Sequence, residues 1–204
     1  MMTSPTALDG QIRGTAVRTI PTAIEAACGF FETRTDAHLG EYGLTDPSPQ
    51  AWYDVTDYVA VVEDLLDSTG QHTVRRIGKA LAHAMVWDRE VEGLGDALAT
   101  LEDAYYRLHR GTVGGYRFER TGAESGRLVC ETPYPVALEQ GVLRGLAQRF
   151  TETGFITTDR LTPERRGDLS VVTFDVEWWN GTDIGGTDTP RVESSSATGV
   201  AGAD

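Results

Sequence analysis

The chain has 204 residues, which suits one domain with a short appendage and buries enough surface to need no disulfide or metal staple. It is 40% hydrophobic with 23 Gly and 8 Pro, a globular composition rather than a fibrous one. Its 31 acids against 18 bases give −13, a surface that repels phosphate backbones and excludes nucleic acid as a partner.

In chain order, residues 1 to about 10 are loose, and the domain runs from 11 to 179. A first helix begins near Pro21, a residue suited to a first turn, with Ile20, Ile24, Ala27 and Phe31 at helical spacing. Gly29, Gly40 and the run Asp46-Pro47-Ser48-Pro49 mark turns. Tyr58, Val62 and Leu65 carry a second helix that ends at Ser68-Thr69-Gly70. A third spans about Thr73 to Trp87, with Val74, Ile77, Leu81 and Met85 on one face. In the fourth, Leu94, Leu98, Leu101, Tyr105 and Leu108 step by 4, 3, 4, 3 until Gly111 stops it.

Beyond Gly111 the period becomes two. Tyr116 and Phe118, then Leu128, Cys130 and Thr132, alternate with polar residues around a turn at Thr121–Gly126, which is a hairpin. Pro133 and Pro135 break it. A helix follows over Val136–Phe150, with Leu138, Val142, Leu146 and Phe150 inward and Gly141 and Gly145 leaving a smooth strip for another backbone. Phe155–Arg160 is a short strand and Gly167-Asp168 a turn. Val172, Phe174, Val176 and Trp178 make the cleanest strand. The fold class is α+β: an N-terminal helical part, then a ββαββ antiparallel sheet part.

Residues 180–204, an acidic tail rich in Gly, Ser and Thr, cannot offset their ordering entropy and are expected to be disordered. No stretch approaches 18 apolar residues, and the opening Met-Met-Thr-Ser-Pro lacks a basic start and an apolar core. Neither a membrane segment nor a signal peptide is therefore expected, and the location expected is the cytoplasm. The acidic excess, with Lys79 as the only lysine, matches a halophilic composition.

Residues able to do chemistry are few. Cys28 and Cys130 form no CxxC or Cys/His pattern, and His38, His72, His83 and His109 include no pair three or four apart. No metal site is expected. His83 points away from its helix's apolar stripe. His109, near a helix C-terminus, reads as a cation capping the dipole. There is no GxSxG elbow, and the Gly-rich Gly111-Thr-Val-Gly-Gly follows a helix and enters a strand, the reverse of a phosphate loop. Arg75, Arg76 and Lys79 make a compact basic spot that reads as a solvated helix face.

One block stands out: Leu128-Val-Cys-Glu-Thr-Pro-Tyr-Pro-Val-Ala-Leu-Glu-Gln-Gly-Val-Leu-Arg-Gly-Leu-Ala-Gln-Arg-Phe150, a strand, a Pro-bounded turn and an apolar helix with two glycines. It resembles the strand–turn–helix of H-NOX (haem nitric-oxide/oxygen binding) domains and their relatives, the 4-vinyl reductase-like ligand-binding domains among them. Gly14-Thr-Ala-Val, Arg75-Arg-Ile-Gly-Lys-Ala-Leu, Leu101-Glu-Asp-Ala-Tyr-Tyr-Arg-Leu-His109 and Gly167-Asp-Leu-Ser-Val-Val-Thr-Phe-Asp-Val-Glu-Trp178 extend the likeness, in order, over about 14–179.

Haem-binding members hold the iron with a histidine of the long helix and the propionates with Tyr-x-Ser-x-Arg. Here the histidine position falls on Tyr105, with His109 four residues on, and the second motif reads Cys130-x-Thr132-x-Tyr134. Tyr cannot replace a permanently charged bidentate carboxylate partner. The resemblance therefore implies a sensory, non-enzymatic module with no cofactor. Its apolar cavity would be lined by Leu101, Tyr105, Leu108, Cys130, Thr132 and Tyr134. It would take a small apolar or weakly polar molecule and signal to a separate protein, with no nucleic acid or membrane as partner. The alternatives are a haem gas sensor ligated by Tyr105 or His109, an enzyme or accessory of tetrapyrrole metabolism, and an interaction scaffold whose cavity has filled. The tetrapyrrole reading needs a reductant site, and the chain has neither a nucleotide loop nor a cluster-binding cysteine set.

Overall fold

The computed structural model describes residues 8–25, 39–87, 89–151, 156–160 and 163–179. Ala27, Cys28, Gly29, Phe31, His38, Phe155, most of the loose start and the tail 180–204 lie outside them. The chain opens on a strand, β1 (Gly10–Arg13), that feeds directly into α1 (Gly14–Val17) and α2 (Thr19–Glu25). Pro21 falls in the first turn of α2, where its missing N–H forfeits no helical bond. A second short strand, β2 (Trp52–Asp54), enters α3 (Val55–Thr69), whose first turn is capped by Asp54 accepting from the Thr56 N–H at 2.7 Å. Gly70, at φ +82°, ends α3 and starts α4 (Gln71–Ala84). The expected helix to Trp87 thus stops three residues early, although Met85, in extended backbone, stays buried.

The helix expected over Leu94–Leu108 is two helices, α5 (Leu94–Ala99) and α6 (Leu101–Leu108), broken at Thr100 (φ −113°, ψ 11°). The Thr100 hydroxyl donates to the Asp96 carbonyl at 2.9 Å, a side-chain bond that competes with the helical ladder. The apolar stripe runs unbroken across the interruption, with Leu94, Leu98, Leu101 and Tyr105 all buried, so spacing alone conceals the break.

The remaining elements are β3 (His109–Gly111), β4 (Gly115–Arg120), β5 (Ser125–Thr132), α7 (Val136–Phe150), β6 (Ile156–Arg160), β7 (Glu164–Arg166) and β8 (Leu169–Trp178). The main sheet is antiparallel, as expected, and runs in the order β4-β5-β8-β6; β7, which also pairs with β8, was not expected. A second sheet, β2-β1-β3, was not expected. Its strands are three or four residues long, too short for an alternation to be read.

The α+β class stands, and the two halves join through α4 and α7. A Cβ on Gly78 of α4 would lie 2.1 Å from the Leu138 carbonyl oxygen, and one on Gly141 would lie 2.2 Å from that of Arg75. The smooth strip on α7 is therefore where α4's backbone seats. The basic spot divides accordingly. Arg75 donates to Gln140 of α7 at 3.0 Å and to Gln71 at 2.8 Å, while Arg76 and Lys79 line a surface cleft with His72 and the exposed His83.

Candidate functional site

The six residues expected to line a cavity are all at most 5% exposed. Tyr105 and Leu108 come from α6, one turn apart, and Cys130 and Thr132 from the inward face of β5. Tyr134 comes from the Pro-bounded turn before α7, and Leu101 heads α6. Four of them, Tyr105, Cys130, Thr132 and Tyr134, meet in one polar cluster, while Leu101 and Leu108 contribute to the apolar core.

The cluster has two arms. In the first, His109 is at the centre and 1% exposed. Its Nδ1 lies 2.9 Å from the Tyr105 carbonyl oxygen, which can only accept, so Nδ1 carries the proton. Nε2 is then the acceptor for the Tyr134 hydroxyl at 2.5 Å. The imidazole stacks on the Tyr105 ring at 3.8 Å and 19°, and the Tyr105 hydroxyl donates to the Val113 carbonyl at 2.8 Å. Burial pushes the His109 pKa down to about 4, only partly opposed by the bond to the Tyr105 carbonyl. The expectation of a helix-capping cation is corrected on one point: His109 does bond a carbonyl of the last turn, but as a neutral group inside the core.

In the second arm, Glu139 of α7 is 1% exposed and turned toward the sheet. Its carboxyl accepts from the Tyr116 hydroxyl at 2.7 Å, from the Thr132 hydroxyl and from the Cys130 thiol. Desolvation pushes its pKa up to about 7, with those three donors opposing the rise. Burial likewise raises the Tyr105, Tyr116, Tyr134 and Cys130 groups, with the Glu139 charge adding to each, so all four remain protonated near neutrality. Tyr116 also meets Tyr105 edge-on at 5.1 Å, which joins the arms, and Tyr58 of α3 meets Tyr134 edge-on at 5.8 Å.

Sequence reasoning missed Glu139 and Tyr116. Glu139 falls three and seven residues before Val142 and Leu146, both inward, so a carboxylate inside an apolar stripe was a readable signal. Tyr116 carried none, because any inward aromatic of a strand fits a core. Among the described residues no group of three or more metal-ligating side chains assembles, and no helix is long and apolar enough to cross a membrane.

Chemically, the arrangement can hold and release a proton at Glu139 near neutral pH and can present one hydroxyl–imidazole pair. Both lie behind α6, which packs on β4 and connects without a break to β3 of the small sheet.

No family model matches the chain, and no curated protein matches it. Solved structures do. A point variant of the T. tengcongensis H-NOX superposes with TM-score 0.61 at 13% identity, covering 81% of this chain and 97% of that one. An oxygen-binding H-NOX domain related to soluble guanylate cyclases, in its oxygen complex, gives 0.58 at 12% identity over 80% and 91%. A variant of Cs H-NOX carrying 4-cyano-L-phenylalanine gives 0.62 at 13% identity over 81% and 96%. The fold of this chain is the H-NOX fold.

Proposed function

We propose that the chain is a sensory module on the H-NOX fold that binds a small apolar or weakly polar molecule without haem and passes its signal to a separate protein. The observation that carries this reading is the polar cluster behind α6. A buried ionisable group costs stability relative to apolar side chains of similar volume. A core serving only as a scaffold has no use for Glu139, His109 and three tyrosine hydroxyls in one place. Each of them is a donor or acceptor that a small molecule can re-pair, and His109 sits at the start of β3, so a change at its ring moves a strand of the small sheet. Ligand binding then biases two arrangements of the helical part against the main sheet.

The residues present do not fit haem. Tyr105 and His109, the two candidate iron ligands, stack ring on ring at 3.8 Å, and both His109 nitrogens and the Tyr105 hydroxyl are already hydrogen-bonded. Tyr134 stands where the arginine of the propionate motif would be, and its hydroxyl is spent on His109. The Thr132 and Cys130 donors are turned to the Glu139 carboxyl and are not free to hold a propionate.

A second reading, the interaction scaffold, has one observation in its favour: the six predicted lining residues are all buried, none more than 5% exposed. The test separates the two. The purified protein is melted against a panel of small neutral and weakly polar molecules and analysed by native mass spectrometry as purified. We expect a copurified molecule, or one that raises the melting temperature and stops doing so in Tyr134→Phe. A ligand at about 100 times its Kd adds about 2.7 kcal/mol. A protein that purifies empty and melts unchanged with every compound is a scaffold instead. Haem addition is expected to leave the Soret band that of free haem. A shifted band lost on Tyr105→Ala or His109→Ala would overturn the haem-free assignment.

A further inference from the structure

The small sheet has two unlike faces. Ile12 and His109 point inward, while alternation puts Gln11, Arg13, Trp52, Asp54 and Arg110 outward. Trp52 lies against two guanidiniums: the Cζ of Arg13 is 4.9 Å and that of Arg110 4.4 Å from its ring centroid. Two glutamines hold the same groups by their edges. The Gln50 Oε1 accepts from Arg13 Nη1 at 3.0 Å, and the Gln11 Oε1 accepts from Arg110 Nε at 2.7 Å.

All of these partners are neutral. Elsewhere on the surface arginines do meet acids, as Arg89 meets Asp96 and Arg127 meets Asp175. The acid on the outer face, Asp54, is engaged with the Thr56 N–H at the head of α3. In a chain with 31 acids, two neighbouring arginines are thus fixed by an indole and two amides, with no acid in ion-pair contact with either among the described residues. The Arg13 Nε, buried, has no acceptor among the described residues, and Arg110 is exposed, with its Nε on Gln11 and its terminal nitrogens bonded to none of the described residues. Side chains held this way have lost their rotamer freedom before anything binds, so a carboxylate meeting them forms a forked pair at low entropic cost.

We propose that this outer face is a docking surface for an acidic segment of a partner protein, whose carboxylates engage Arg110 and Arg13. The assignment deepens the sensory reading and rests on it for its purpose: His109 and Arg110 are successive residues of β3, one inside the polar cluster and one on the docking face. Its chemistry stands without that reading. A polyphosphate is the weaker candidate, because its charge density meets the field of a protein at −13.

The probe is a fluorescein-labelled decapeptide of alternating Glu and Ala, titrated with the full chain by anisotropy at an ionic strength of about 0.1 M, where a Debye length of about 10 Å screens repulsion from the rest of the acidic surface more than it screens contact pairs. Saturable binding is expected, weakened about tenfold or more in the Arg13→Gln/Arg110→Gln variant. Arg110→Gln alone, at an exposed side chain, gives the same direction if the double variant melts early. Arg117→Gln/Arg144→Gln, an equal loss of charge elsewhere, leaves binding unchanged. Equal affinity in both double variants, absence of saturable binding, or preference for a decathymidylate probe overturns the proposal. No small molecule is added, so peptide binding succeeds or fails independently of the melting test above.

Discussion

Glu139 and His109 are shifted in opposite directions, and together they make a pH signature that neither has alone. The Glu139 pKa rises from its ordinary 4.5 to about 7, so the folded protein keeps a proton that the unfolded chain releases, and stability falls as pH climbs through that window. The His109 pKa drops from its ordinary 6.5 to about 4, so the unfolded chain takes up a proton that the folded protein refuses. Stability there is lost as pH falls. Each shift is worth about 3 kcal/mol. Between about pH 4.5 and 6.5 the two slopes cancel. Glu139→Gln should leave the histidine slope exposed, with stability rising by about 3 kcal/mol from pH 4 to 6.5 relative to the parent. His109→Gln should do the reverse, with stability falling from pH 4.5 to 7. Urea midpoints across that range decide it, and variant curves parallel to the parent's would remove the claim. The site was half legible at this scale. Tyr105 reads as a cavity-lining residue, and in the fold it is buried with its hydroxyl donated to the Val113 carbonyl. His109 misleads, because its sequence position shows the helix end but not the Tyr134 hydroxyl that comes from 25 residues away to meet it.

Among the elements, α4 and α7 depend on glycine for contact rather than for flexibility. Gly78→Ala should gain about 1 kcal/mol of helix propensity and lose more than that, about 3 kcal/mol, because its Cβ would press on the Leu138 carbonyl, which no rotamer change can move aside. Gly40→Ala, whose new Cβ would meet only the Thr45 hydroxyl at 3.5 Å, should stay within about 0.5 kcal/mol. Equal melting temperatures for the two variants would mean that the helices part without cost. The α7 strip was readable because Gly141 and Gly145 recur one turn apart beside the apolar Leu138, Val142 and Leu146. The small sheet was not readable, since its pairings join residues as distant as Gln11 and Arg110, and a three-residue strand has no period to detect. The break at Thr100 was hidden for the opposite reason. The burial pattern continues through it, and only the backbone changes.

For the whole molecule, the charge of −13 sets how stability responds to salt. Like charges spread over one surface repel, and folding brings them together. Salt screens that repulsion, with the Debye length falling from about 10 Å at 0.1 M to about 3 Å at 1 M. The same salt weakens ion pairs, but those of Arg89–Asp96, Arg127–Asp175, Arg165–Glu63 and Arg166–Glu131 all have an exposed arginine and lie at the surface, where such pairs contribute little. The apolar interior, including the α4–α7 seam, gains slightly from salt. The net effect is a melting temperature that climbs between 0.1 and 1 M NaCl. Its electrostatic origin can be isolated. Glu41, Asp67, Glu119 and Glu164 are all exposed, and replacing them by their amides removes four of the charges without touching the core. That variant should melt higher than the parent at 0.1 M, and the gap should close by 1 M. A parent curve that is flat or falls with NaCl, or a gap that persists at 1 M, would mean that the acidic surface governs solubility and partner choice but not the stability of the fold.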